Sequence, residues 1–233
     1  MGPGTGYTLS FCQVIGKGHM RCASDAGSGG NLLVLVTVDT ITSPVDDTRV
    51  LSYAPPSISQ LKRSIGPTNG GFQVVVFGVN FGATSGISVT VDVGGTAASV
   101  LTHNHTHVIV TMPSVSSGAE LAVTVKSFEQ TSASSPFYYY KMLDFSPHIG
   151  WYGGYTTVTI TGEGFVNLAD FSSKVKIEVG GSEPALVTYV SPTSMTFVTP
   201  RIKQAGSYRP MLSMDDGHVY QIVDSDRSMV FYD

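Results

Sequence analysis

Three histidines at alternate positions, His103, His105 and His107 in the stretch HNHTHV, are the residues most suggestive of metal chemistry. On an extended strand their imidazoles would share one face, about 6.6 Å apart. Neighbouring members would chelate zinc or copper only if the backbone bent to converge their nitrogens. A solvated loop entering a strand is the favoured reading, and no metal is expected. Cys12 and Cys22 are the only cysteines, ten positions apart. Adjacent antiparallel strands would bring them together, so a disulfide is geometrically reasonable, worth about 2–3 kcal/mol on a chain-entropy model. Two buried free thiols are the alternative, and a zinc site needs more ligands than these two and His19. Asn104 opens the sole N-x-S/T sequon, NHT, a glycosylation site if the chain is secreted and the loop exposed. Acidic pairs at Asp46-Asp47, Asp215-Asp216 and Asp224/Asp226 read as turn formers, since calcium needs six to eight converging oxygens. There is no G-x-S-x-G elbow, no H-E-x-x-H and no phosphate-cradling glycine loop. Neither a catalytic residue nor a cofactor is expected.

The elements that carry these residues are strands. The chain has 233 residues, 42% hydrophobic but only 13% charged, with many Gly, Ser, Thr and Val. Such a composition favours all-β structure, because β-branched side chains fit a pleated surface and glycine supplies turns. No apolar run is long enough to cross a bilayer as a helix. A net charge of −4 without a Lys/Arg cluster argues against a nucleic-acid partner. MGPGTG at the start lacks the basic and apolar regions of a signal peptide.

An internal repeat organises the whole. TNGGFQVVVFGVNFG (Thr68 to Gly82) resembles WYGGYTTVTITGEGF (Trp151 to Phe165), with Gly71 and Gly154 lying 83 residues apart. VTVDVGG and VKIEVGG follow at an offset of 86, and Pro113 and Pro200 at 87. SPFYYY and SMVFYD close the two units. HMRCASDAGSGGNLLVLVTVDTITSP resembles the second half of the same unit, and LSYAPPSIS reads as a stiff seam because proline fixes φ and restrains its predecessor. The expected division is 1–54, the back part of one unit of a longer protein, then 55–143 and 144–233, two complete units. In VTITG, Val158 and Ile160 oppose the threonines. In LAVTVK, Leu121, Val123 and Val125 oppose Ala122, Thr124 and Lys126. Such alternation describes antiparallel strands with one buried side, and several per 90 residues suggest a sandwich. The one hint of helix is a turn around Asn167 to Lys174.

PPSISQLKRSIGPTNGGFQVVVFGVNFG, followed by VDVGG, VIVTMPSVSSG and SPFYYY, resembles an IPT/TIG domain, the family of immunoglobulin-like modules in plexins and transcription factors. The likeness covers essentially all of 55–140, with a more divergent second copy. It implies tandem, E-set-like β-sandwiches that serve as spacers or binding modules without catalysis. CQVIGKGHMRCAS is similar to the cysteine pair such domains often carry in receptor ectodomains, which would place the chain outside the cytosol or at the cell surface.

Aromatic and apolar residues then become the candidate interaction surface. FYYYK sets aromatics on both faces of a strand, so that either Phe137 with Tyr139 or Tyr138 with Tyr140 would face outward, the second pair being the candidates, and GWYGGY adds Trp151, Tyr152 and Tyr155. In NLLVLVTVD, Leu33 and Leu35 oppose Val34, Val36 and Val38, which suggests a second buried surface. Packing against a neighbouring repeat or another protein chain is favoured over a ligand. The leading expectation is a structural segment of an extracellular multi-repeat protein, in adhesion, a receptor ectodomain or a filament. An accessory glycan-binding module of a secreted polysaccharide-degrading enzyme is the first alternative, and a transcription-factor module the second.

Overall fold

The computed structural model describes every residue except 1–6, 25–26, 83–87, 168–173, 185–186, 216, 223–226 and 233. Most of the helical turn expected around Asn167 to Lys174, and Asp216, Asp224 and Asp226, lie outside the described residues. Among those described, every regular element is a strand. The chain divides into two compact units, Met1–Lys62 with Gln73–Thr111 and Ala122–Ser135, and Arg63–Phe72 with Met112–Leu121 and Pro136–Asp233.

In the first unit an antiparallel ladder runs from Ser57–Leu61 through Gln73–Val79, His107–Thr111, Thr96–His103 and Val89–Val93 to the later residues of Glu120–Ser127. Alternation decides which side is dry: Val74, Val76, Val89, Val91, Val93, Val108, Val110, Val123 and Val125 are all buried. Ahead of this ladder, Ser10–Gly16 and His19–Ala23 form a hairpin, and Leu32–Leu33 pairs with Val50–Leu51. The single strand expected over Asn31–Asp39 is interrupted. Thr37–Val38 folds back on Ile41–Thr42, and Val36 is tied at both its N–H and C=O to Ser43. These local bonds turn the chain before a longer strand can form. Leu33 and Leu35 are left half-exposed, as are the valines opposite them.

The second unit repeats the plan. Lys141 to Ser146 pairs with Thr157–Glu163, which pairs with Ser194–Val198 and, beyond it, Val187–Ser191. Lys176–Glu178, Met211–Ser213 and Gln221–Ile222 form a second ladder. One core gathers Met142, Phe145, Val158, Ile160, Phe165, Ile177, Met195, Phe197, Leu212 and Phe231, and with them Ile65 and Tyr140.

Backbone features show the two copies in register at 84 residues. A bulge between Ile58 and Gln60 recurs between Met142 and Asp144. Gly78 and Gly162 occupy equivalent strand positions, where an added Cβ would strike a partner-strand carbonyl, of Ser57 or Lys141, and the ring of Phe81 or Phe165. This is why both copies carry Gly-x-x-Phe: the glycine clears room for the aromatic plug three residues later. Gly78→Ala is expected to lower stability by about 1–3 kcal/mol through overpacking, and equal thermal unfolding of variant and parent would contradict it. Gly70, at φ 65°, matches Gly154, at φ 92°, and each lies against the backbone around Pro113 or Pro200. The aligned pair is therefore Gly70 with Gly154, one residue away from the register suggested by the GGF/GGY match. The doublets mislead because Gly71, at φ 77°, corresponds to Tyr155, at φ 64°.

Candidate functional site

Two short parallel ribbons, one per copy, hold most of the aromatic candidates. Ile65–Pro67 runs alongside Tyr138 to Tyr140, with Ile65 beside Tyr138 and Pro67 beside Tyr140. Ile149–Trp151 runs alongside Val230 to Tyr232 in the same way, Ile149 beside Val230 and Trp151 beside Tyr232. Alternation sends Gly66 with Tyr139, and Gly150 with Phe231, toward the interior. A Cβ at Gly66 would meet the ring of Phe72, and one at Gly150 the Met229 methyl and the Phe231 ring. The other positions form each ribbon's outer face. Three identities fall on equivalent positions: Ile65 with Ile149, Gly66 with Gly150, Tyr140 with Tyr232.

The two outer faces differ in what covers them. On the first, Ile65, Pro67 and Tyr140 are buried and Tyr138 is half-buried. Ile65 and Tyr140 enter the same core as Leu212 and Met214. The Tyr140 hydroxyl lies 3.2 Å from the Val219 carbonyl and 3.5 Å from that of Leu212, and accepts from the Met214 N–H at 3.4 Å. Burial, with the Asp215 carboxylate adding to it, pushes the Tyr140 phenol above its ordinary value. Burial also raises Tyr138, helped by Glu120. Tyr140 is thus not the surface residue expected from its outward position on the strand: that face is covered by the turn after Met211–Ser213.

Polar groups ring this apolar seat. Asp215 is only 3% exposed, and its Oδ2 lies 3.1 Å from Arg63 Nε. It is held by charge without an aligned hydrogen bond. Oδ1 accepts from Ser213 Oγ and from the Val219 N–H. The Arg63 guanidinium also lies over the Phe72 ring, 5.5 Å from its centroid. Gln221 is buried with its amide saturated: Oε1 accepts from the Met142 N–H at 2.9 Å, and Nε2 donates to Thr68 Oγ1 and Asn69 Oδ1. Gln130 holds the corresponding place in the first copy, within the first unit. Its Oε1 accepts from the Gly29 N–H and its Nε2 donates to the Tyr53 carbonyl. Each copy therefore carries a glutamine, shortly before its closing strand, whose amide grips backbone or side chains of residues that precede that copy.

The outer face of the second ribbon is bare. Ile149 is 60% exposed, Trp151 48%, Val230 47% and Tyr232 54%. The Trp151 indole stands over Gly153 and meets the half-buried Tyr152 edge-on, ring centroids 5.9 Å apart. At the end of this turn Tyr155 is 84% exposed on a left-handed backbone, a conformation that costs a non-glycine residue about 1–2 kcal/mol. Tyr155→Gly is expected to leave stability unchanged or to raise it by up to about 1 kcal/mol, as urea unfolding would show.

The remaining candidates lie apart from the ribbons. Cys12 and Cys22 are joined by a disulfide across the first hairpin, their Cα atoms 4.0 Å apart. Asn104 Oδ1 caps its own turn, accepting from the Thr106 and His107 N–H groups and the Thr106 hydroxyl. Its Nδ2 lies 3.4 Å from His107 Nε2. Among the described residues no three His, Cys, Asp or Glu side chains converge to hold a metal, His103, His105 and His107 included. Sequence reading missed Arg63, Gln130, Gln221 and Tyr232, and took Asp215 for a turn former alone. The glutamines carry a signal, one before each closing strand at a separation of 91 residues. The ion pair, 152 positions apart, carries none.

A family model described as IPT/TIG domain matches residues 56–140 and again 141–227. A search of curated proteins finds no significant match. Among solved structures, the full extracellular region of plexin A4 is 20% identical with a TM-score of 0.43, over 82% of this chain and 17% of that one. SGBP-B of a Bacteroides ovatus mixed-linkage glucan utilization locus, solved in complex with a mixed-linkage heptasaccharide, is 17% identical with a TM-score of 0.30, over 88% of this chain and 50% of that one. This chain thus spans half or less of the length of these structures.

Proposed function

Because this chain belongs to the IPT/TIG family of immunoglobulin-like sandwiches, matched twice in tandem, we propose that it is a non-catalytic spacer and interaction segment of a larger extracellular or cell-surface protein. The observation that carries this reading is the shared core. Ile65 and Tyr140, from the stretch matched as the first domain, pack with Leu212 and Met214 from the second. Arg63, Thr68 and Asn69 reach Asp215 and Gln221 in the same way. Apolar packing and hydrogen-bonded polar groups thus tie the closing strand of the first matched stretch into the core of the second, as a segment that spaces and presents binding surfaces would require. The domain division 55–143 and 144–233 belongs to this proposal, with 1–54 as the end of a further module. The Cys12–Cys22 disulfide supports an oxidising compartment, and Asn104 is proposed as its glycosylation site.

Non-reducing mass spectrometry on native material tests the assignment. A bonded Cys12–Cys22 pair and a glycan on Asn104 are expected; free thiols with an unmodified Asn104 would overturn it. A second reading, an accessory carbohydrate-binding module, draws on the exposed Trp151 with Tyr152 beside it, since aromatic faces stack on sugars. It requires glycan binding that disappears with Trp151→Ala.

A further inference from the structure

We propose that the outer face formed by Ile149, Trp151, Val230 and Tyr232 is the seat of another sandwich module of the same repeat, carried on the same polypeptide. The proposal rests on the spacer reading above and adds the partner. The chain itself shows what covers such a face. On the first ribbon three of the four equivalent positions are buried and Tyr138 is half-buried, and the residues that enter the neighbouring core, Ile65 and Tyr140, are the ones repeated as Ile149 and Tyr232. The second ribbon has the same register and the same inward glycine, yet four large side chains remain about half open. A row of that kind is the signature of a partner surface.

The first seat also defines what the occupant brings. It presents an apolar hairpin in place of Leu212 and Met214, and a backbone carbonyl to accept from the Tyr232 hydroxyl, as Val219 lies ready to accept from Tyr140. A glutamine in the place of Gln221 would grip the polypeptide behind it. With Trp151 where the first copy has Pro67, the second seat offers more aromatic area, so a larger or flatter apolar patch is required of its occupant.

Hydroxyl-radical footprinting, read peptide by peptide by mass spectrometry, compares the native polypeptide with the 233-residue chain. Labelling of Trp151 and Tyr232 is expected to fall by about fivefold in the native polypeptide, as half-open rings become enclosed in a packed interface. Leu101 and Phe77, exposed on the first copy, should label alike in both. Trp151→Asp with Tyr232→Asp, at positions whose exposure spares the fold, should raise labelling of the remaining face residues, Ile149 and Val230, in the native polypeptide to the level seen in the 233-residue chain. Equal labelling of the face in both forms overturns the seat. So does a native polypeptide that bears no such module. Protection that grows with concentration of the 233-residue chain would assign the face to a second copy, and protection only on adding a glycan would assign it to sugar; either result overturns the proposal. None of these outcomes touches the spacer reading, which falls on free thiols with a bare Asn104.

Discussion

Asp215→Ala is expected to lower the unfolding free energy by about 3–5 kcal/mol, the range for breaking a buried ion pair from one side. The carboxylate is almost fully enclosed and Arg63 is about four-fifths enclosed. Removing the acid leaves a largely enclosed guanidinium without its Asp215 partner, lying over the Phe72 ring. It also deprives the Val219 N–H and the Ser213 hydroxyl of their acceptor, loosening the turn that covers Tyr140. Asp215→Asn should cost less, because an amide oxygen can still serve those two donors. The double variant Arg63→Met, Asp215→Leu should recover much of the loss, since replacing both charges removes the desolvation penalty together with the attraction. Urea unfolding of the four proteins gives the cycle. A cost below about 1 kcal/mol for Asp215→Ala would show that the pair is exposed in solution.

The second large effect falls on Tyr140. Truncation to alanine should cost about 3–5 kcal/mol, as for other large aromatics removed from a core. The loss should appear in the second unit, where Ile65, Leu212 and Met214 would line the hole. Tyr140→Phe isolates the hydroxyl and should cost about 1–3 kcal/mol, mainly by leaving the Met214 N–H without its acceptor. The same hydroxyl makes stability depend on alkaline pH. In the folded protein the phenol is pushed above its ordinary 10.0 by burial first and by Asp215 second, and Tyr139 is raised by burial. The folded state thus holds these protons more tightly than the unfolded chain. Their contribution is complete below pH 10 and is lost as pH rises through the folded values. Urea midpoints should be flat from pH 8 to 9.5 and fall steeply above 10, with a shallower fall in Tyr140→Phe. Identical alkaline slopes for the two proteins would refute the assignment.

Much of the architecture was written into local pattern. Val158 and Ile160, or Val123 and Val125, alternate with polar neighbours, and period two admits only one assignment of faces. Gly-x-x-Phe recurs because a glycine must clear space for its aromatic plug. Patterns stop being sufficient where a residue's surroundings come from another part of the chain. Tyr140 points away from its own sheet, and sequence periodicity says so; whether water or protein meets it depends on the turn after Met211–Ser213. Leu33 and Leu35 alternate like strand residues, yet bonds between Val36 and Ser43 end the strand early. The GGF and GGY doublets suggest a register one residue off, because backbone φ, and not side-chain type, aligns Gly71 with Tyr155.

The amino-acid order by itself determined that this protein is a string of related β-sandwich units, because alternation, glycine placement and repetition act over a few residues at a time. Tertiary structure alone decided which aromatic faces are closed and which stay open. Arg63 and Asp215, or Ile65 and Leu212, meet only after the chain has folded, and burial is a property of the neighbours that arrive.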